Sequence, residues 1–394
     1  MAIPNVSITV KNGGLGIAAA NSAGIQAKVG RISAAEFGDI ASENQLAVNT
    51  PTQFGSADSI IAACGTGALA QAAILALQEG GGPVVICRAA DTAGDVTFLT
   101  AVAAAVDALR ESSLDFEIVH VVSDVSSTEG QASDPLDASD AATLVSSLAT
   151  KGAAFWSAHR YDSSFFVIEV EDDSTSGAYD NLGASDYVAV VRGLVTSTNP
   201  ITGTKQKNPL AWHATARASA VELGRDLAAT ADGPLVGVSS TDHDEAAHGG
   251  ACDTANVTTS RTFPRHAGVY LTNARMLKAS GSDFEFWQHR RVMNAACAAA
   301  DDALFTLLSS SVQVDTATGH ITESAATAIE AVCKSAINDR VGKYVSGTSV
   351  TVDRTTNILS TKSISIAVSI VPLGYLKAIT VEIGFSNPAI SEAA

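Results

Sequence analysis

The sequence is poor in charge, in aromatic rings and in spaced cysteines, and each shortage removes a class of function. Only 16% of its 394 residues are charged and 5% are aromatic. So few rings offer few platforms on which nucleic-acid bases could stack. No basic stripe is present to follow a phosphate backbone, so no direct nucleic-acid binding is expected. The five cysteines (Cys64, Cys87, Cys252, Cys297 and Cys333) are dispersed, with no CxxC spacing. That pattern excludes a disulfide scaffold and reads as reduced thiols in a cytoplasmic setting. The start, MAIPNVSITV, lacks a basic segment followed by an apolar one, so no signal peptide is expected. The most apolar stretches, such as TFLTAVAAAVDALR, are amphipathic or interrupted well short of about 18 residues, and no membrane insertion is expected. No GxSxG elbow, HExxH pair or P-loop occurs, so no reaction is spelled out.

What charge there is lies unevenly. From Arg265 to Ala394, eleven Lys and Arg balance eleven Asp and Glu, so the net charge of −17 resides in residues 1–264. This reads either as an ordinary acidic surface or as a chain with one solvated part and one part buried against partners. The 46% apolar content is enough for a sizeable core in about two or three domains.

The order of elements predicts the fold class. Val6-Ser7-Ile8-Thr9-Val10 alternates as a short strand, and the Gly- and Ala-rich NGGLGIAAANSAG follows it. GIQAKVGRIS, PVVICRA, DFEIVHVVS, SSFFVIEVE and SDYVAVVRGLV read as further strands. Helices are predicted from Ser56 to Glu79, with a break at Gly65-Thr66-Gly67, from Asp95 to Arg110, and from Pro135 to Thr150. Alternating strands and helices predict an α/β domain with a partly parallel sheet. EDDSTSGAYDNLGAS, TSTNPITGTKQKNP and SSTDHDEAAHGGACDTANVTTS read as polar surface loops. After about Phe263 come a strand, a turn capped by Ser282 or Asp283, a helix to about Ser310, a second helix to about Lys343, and a return to β structure.

Four constellations could carry chemistry. Gly65-Thr66-Gly67-Ala68-Leu69-Ala70 fits the GxGxxA dinucleotide fingerprint and would make the chain an NAD-binding oxidoreductase; it reads equally as a Gly break between two short helices. Asp242, His243, Asp244, Glu245, His248, Cys252 and Asp253 are dense in ligand-type residues, yet their spacing matches no usual zinc pattern, and a polar surface loop is the expectation. Arg340 and Lys343 share one face of the second C-terminal helix, with Lys334 well round from them. His289-Arg290-Arg291 lies on the long helix before it. Both sets read as solvated cations or as contacts for an acidic partner.

The C-terminal stretch SISIAVSIVPLGYLKAITVEIGF poses a different question. Ile364, Ile366, Val368 and Ile370 alternate with small or polar residues, and the alternation resumes after Pro372 at Ile379, Val381, Ile383 and Phe385. Two such runs predict a hairpin or two sequential strands. An alternating strand with an uncovered edge is a template for another chain.

The residues from Gly268 to Pro388 resemble the C-terminal part of tail sheath proteins, which form the contractile sheaths of phage tails, R-type pyocins and related injection systems. GSDFEFWQHRRVM and VPLGYLKAITVEIGFSNP carry most of the likeness. TQFGS…ALQEGGGPVVICRAAD is similar to the family's helix, Gly-rich turn and strand. The resemblance implies an α+β chain in four parts. Residues 1–25 form an N-terminal arm and 26–263 an outer, acidic α/β domain. Residues 264–376 form an inner domain of two helices and a sheet completed by neighbouring subunits, and 377–394 a C-terminal arm. It implies strand pairing between copies through Val6, Ile8, Val10, Ile379, Val381, Ile383 and Phe385. It places tube contact on Arg340, Lys343 and Lys334. The implied partners are further copies of the chain, a tail tube protein, and baseplate and tail terminator proteins. No enzyme activity, cofactor or metal is implied. The implied location is a virion tail or injection-system particle assembled in the bacterial host cytoplasm. Another self-assembling tube or shell protein remains an alternative.

Overall fold

The computed structural model describes residues 24–91, 95–123, 138–170, 182–278 and 281–384. The chain opens with β1 (Gln26–Gly30), α1 (Ala34–Phe37), β2 (Thr52–Phe54), α2 (Ala57–Cys64), α3 (Ala68–Gly80) and β3 (Val84–Arg88). It continues with α4 (Asp95–Glu111), β4 (Ile118–Val121), α5 (Ala138–Ser157), β5 (Phe165–Val170) and β6 (Val188–Arg192). These strands form one six-stranded sheet in the order β2-β3-β1-β4-β5-β6. Only β2 runs antiparallel to its neighbour. The expected partly parallel sheet is therefore present.

Burial on both faces explains the composition of these strands. Val85, Cys87, Val119, Val121, Phe166 and Ile168 face α4 and α5 through Val102, Leu109, Leu144, Leu148 and Phe155. Val84 and Ile86 face α3 through Leu69 and Ile74. Phe165 and Val167 pack on a further helix, α6 (Leu210–Ala220). Covered on both sides, a parallel strand reads as a continuous apolar run.

Beyond β6 the chain makes a three-stranded antiparallel sheet of β7 (Leu194–Thr198), β8 (Lys205–Pro209) and β9 (Val238–Thr241), in the order β8-β7-β9. Two differences from expectation appear here. SDYVAVVRGLV divides at Gly193, whose φ of +103° turns the chain from one sheet into the other. TSTNPITGTKQKNP is not a loop throughout: its last residues form β8, a polar edge strand with no alternation to reveal it.

The short α7 (Ala251–Thr254) precedes a hairpin of β10 (Ser260–Phe263) and β11 (His266–Leu271). Then follow α8 (Trp287–Phe305), α9 (Glu323–Val341), β12 (Val345–Val352), α10 (Ile358–Thr361) and β13 (Ile366–Pro372). Val292, Ala295 and Ala296 of α8 pack on Cys333, Ile337 and Val341 of α9, while Val332 stays exposed. β13 pairs antiparallel with β12, from Val352↔Ile366 to Val345↔Pro372. The hairpin partner of the Ile366 run is thus the strand before it, not the run after Pro372.

The basic run on α8 is corrected outright. Arg290 and Arg291 are neither solvated nor available to a partner; both are buried. Arg290 sits among the rings of Trp156, Tyr187 and Phe284 and donates to Ser164 Oγ at 2.9 Å. Arg291 pairs with buried Glu117. The physical reason is tertiary. Aromatic faces and a buried carboxylate replace the water that a guanidinium otherwise needs.

Candidate functional site

The part of the molecule left open lies after α9. β12 and β13 form only a two-stranded ribbon, and such a ribbon is marginal without support. Support comes from one side: Val341, Val345, Val350 and Ile370 pack together, as do Val352, Ile366, Ile358 and Ile329. Val368 and Val371 of β13 remain exposed. Among the described residues, neither outer edge of the ribbon pairs with another strand.

After Pro372 the chain is fastened and then released. Tyr375 donates its hydroxyl to Gly224 O at 2.8 Å and lies beside the rings of Phe286 and His289. Burial pushes its phenol up to about 12. Lys377 pairs with Asp226 and places its ammonium 4.5 Å from the centre of the Phe286 ring. From Ala378 to Gly384 no hydrogen bond to another described residue is made and no strand is assigned. Ile379, Val381 and Ile383 are 77%, 69% and 93% exposed. A groove of about 1160 Å³ opens beside this segment, bounded by Gly224, Arg225, Asp226, Asn273, Tyr375 and Ile379 among others. Val6, Ile8, Val10 and Phe385 lie outside the described residues.

The three cations of α9 and its end differ in their surroundings. Arg340 pairs with Asp162 at 3.0 Å. Lys343 pairs with Glu222 at 2.8 Å, both groups well exposed. Lys334 is exposed and has no ion pair among the described residues. Two of the three thus already face acidic groups of the same chain.

The dinucleotide fingerprint is not built as one. A phosphate site needs a strand before the glycines and an empty helix N-terminus after them. Here Gly65-Thr66-Gly67 joins α2 to α3, and Glu36 fills the position of the phosphate. Its carboxylate accepts from Ala68 N at 3.2 Å and from Ser33 N at 2.6 Å. A methyl group added to Gly65 or Gly67 would collide with Glu36. The glycines admit a neighbouring carboxylate, not a cofactor.

A polar cluster that gave no sequence signal lies within the six-stranded sheet. Lys28 of β1, His120 of β4 and Glu169 of β5 are buried on the α3/α6 face. Lys28 Nζ lies 2.9 Å from His120 Nδ1 and donates to Thr215 Oγ1 at 2.9 Å. His120 Nε2 lies 2.9 Å from Glu169 Oε1, which also accepts from Trp212 Nε1 at 2.7 Å. Burial lowers Lys28 to about 7, raises Glu169 to about 8, and holds His120 well below its ordinary value. The side chains resemble a catalytic relay, but they are sealed beneath α6 and no described groove reaches them. Their contacts pin α6 to the sheet.

The Asp242–Asp253 segment also departs from expectation. It is not uniformly a surface loop, because His243, Glu245 and Cys252 are buried.

Comparison with known proteins agrees with this architecture. Residues 3–275 match the DUF2586 N-terminal domain and residues 283–390 the DUF2586 C-terminal domain. No curated protein sequence matches the chain. Among solved structures, a chain of the anti-feeding prophage (AFP) baseplate superposes with a TM-score of 0.64 at 15% identity, over 98% of this chain and 100% of that one. A chain of the AFP helical sheath in the contracted state gives 0.62 at 16%, over 98% and 99%. A chain of the contracted PVC sheath, an extracellular contractile injection system, gives 0.61 at 11%, over 100% and 99%. These likenesses establish an α+β fold shared from end to end.

Proposed function

From a chain that belongs to the DUF2586 family and folds as the sheath chains of contractile particles do, we propose a structural subunit of a contractile tail sheath. The observation that carries this reading is the end-to-end match, 98% of this chain on 99% of a contracted sheath chain. Many copies polymerise around a tail tube in an extended, kinetically trapped lattice. On a signal from the baseplate, subunits turn nearly as rigid bodies into a shorter, wider lattice and drive the tube through a target envelope. New subunit contacts supply the free energy, so neither nucleotide nor cofactor takes part. A head-to-tail contact that does not close on itself makes such a filament.

The open C-terminal segment supports the mode of assembly. Ile379, Val381 and Ile383 alternate, are exposed, and follow a fastened base at Tyr375 and Lys377. In the lattice this strand, with Phe385, adds to a sheet of a neighbouring copy, and Val6, Ile8 and Val10 supply the companion strand. Residues 264–376 form the inner part, 26–263 the acidic outer part, and 1–25 and 377–394 the arms. The end of α9 faces the tube. Arg340 and Lys343, which hold Asp162 and Glu222 within the single chain, are the cations that would meet it, with Lys334 further round the helix. Tube protein, baseplate and tail terminator are the partners, in a phage tail or injection particle assembled in the bacterial cytoplasm.

Negative-stain microscopy of the purified chain tests this. Wide-lumen helical tubes are expected from the full chain. A truncation after Ala378 should melt like the full chain yet remain as soluble subunits. Closed shells, or tubes that persist in the truncated chain, would overturn the reading.

A further inference from the structure

The geometry points to a binding site for a zinc-class divalent cation at His243, Glu245 and Cys252. This inference does not rest on the sheath reading. The three residues come from one short excursion of the chain. His243 follows β9, Glu245 opens a single helical turn (Glu245–Ala247), and Cys252 lies in α7. All three side chains are buried, and one ligand atom from each lies within 4.8 Å of the others.

The spacing of these atoms suits a metal. His243 Nε2 lies 2.9 Å from Glu245 Oε2 and 3.7 Å from Cys252 Sγ. Around a tetrahedral zinc, with bonds of about 2.0–2.3 Å, neighbouring ligand atoms stand about 3.3–3.6 Å apart. The observed separations bracket that value, so shifts of a few tenths of an ångström would make room. An imidazole, a carboxylate and a thiolate form the mixed nitrogen, oxygen and sulfur set that zinc accepts. The two anions would balance the cation, leaving the fourth position for water.

The surroundings hold the ligands in place. Glu245 Oε1 accepts from Cys252 N at 2.8 Å, which fixes the carboxylate against the cysteine backbone. His243 O accepts from Ser260 Oγ and Thr241 Oγ1, both at 2.9 Å. The ring of His248 stacks on that of His243 at 4.3 Å. Arg192 Nη1 donates to Cys252 Sγ at 3.1 Å, the kind of outer donor that orients a thiolate ligand. Its positive charge also weakens the attraction for a dication, which sets a moderate affinity. The ion would cross-link the two ends of the 243–252 excursion, joining the chain just after β9 to α7. Sequence alone hid the site because His-x-Glu-x6-Cys is not among the standard zinc spacings.

Cobalt(II) added to the full-length reduced chain is the probe. One equivalent should produce tetrahedral visible bands and a near-ultraviolet sulfur-to-cobalt band, and zinc should bleach both. Cys252→Ser should abolish the sulfur band. His243→Ala and Glu245→Gln should each weaken cobalt binding by about tenfold or more. Cys297→Ser, a change at a half-buried thiol elsewhere, should leave the spectrum intact. Absence of a sulfur band in the wild-type chain at millimolar cobalt would overturn the proposal without reference to any variant. So would a band that survives in Cys252→Ser.

Discussion

Arg291 of α8 and Glu117, just before β4, form a salt bridge sealed from solvent although 174 residues separate them. Arg291 Nη2 donates to Glu117 Oε2 at 3.0 Å, and Gly24 N donates to the same oxygen at 2.6 Å. One carboxylate thus joins the start of the described chain, the parallel sheet and the long C-terminal helix. Removing one partner of a buried pair strands the other charge, at a cost of about 3–5 kcal/mol. Arg291→Met should lower stability by that amount in urea denaturation. The double variant with Glu117→Gln should recover most of the loss, since no charge is left unpaired.

The cluster in the six-stranded sheet predicts a trough in stability against pH. Burial raises Glu169 from 4.5 to about 8, so the folded chain holds a proton that the unfolded chain releases in that interval. Stability from this group is complete below about pH 4.5 and falls as pH rises to about 8. Burial lowers Lys28 from 10.5 to about 7, so its penalty is greatest below pH 7 and is relieved toward pH 10.5. His120 faces both, and Glu79 with His213 lies on the same side of the sheet. Urea midpoints should be lowest near pH 7 to 8. Glu169→Gln should flatten the acidic limb and Lys28→Met the alkaline one; a wild-type midpoint that is level from pH 5 to 8 would contradict this.

Gly65 sits at φ +73° with no room for a side-chain carbon against the backbone of Glu36. Gly65→Ala should therefore destabilise by more than about 1 kcal/mol. Glu36→Gln removes the charge at the N-terminus of α3 and should cost about 0.3–1 kcal/mol. Millimolar NAD should leave the melting temperature of every one of these proteins unchanged. A rise would revive the nucleotide reading.

Tyr375→Phe deletes one hydrogen bond to Gly224 O, worth about 0.5–1.5 kcal/mol. Combined with Lys377→Ala it should free the segment before Ile379 while the core stays intact. Limited proteolysis should then cut near residues 373–378 faster, with the melting temperature lowered by only about 1–3 °C. Equal cleavage rates in variant and wild type would show that the fastening is not made in solution.

The sequence revealed the elements whose burial is simple. β3, β4 and β5 are covered on both faces, so their apolar runs stand out. The break between α2 and α3 shows because two glycines interrupt a helical pattern. What it hid depends on distant partners. Helix α6 is buried almost all round, from Leu210 to Ala218, so it shows no polar face to mark it. Arg290 and Arg291 look like surface cations until Trp156, Tyr187 and Glu117 are brought to them. Lys28, His120 and Glu169 meet only through strand pairing, Lys28 standing opposite His120 in adjacent strands. For the open segment, alternation at Ile379, Val381 and Ile383 foretold a face that finds no cover within the described chain.

The fastening at Tyr375 and Lys377 has a mechanical consequence. Both residues hold the 224–226 segment, and Leu223 beside it packs on Val292 of α8. The residue before Val292 is Arg291, whose partner Glu117 grips Gly24. A pull applied beyond Lys377 therefore reaches Gly24 through one short strut: a loop, one turn of α8 and a single ion pair. In a strand-linked lattice, tension would thus cross each subunit where Glu117, at the edge of β4, locks α8 to the six-stranded sheet.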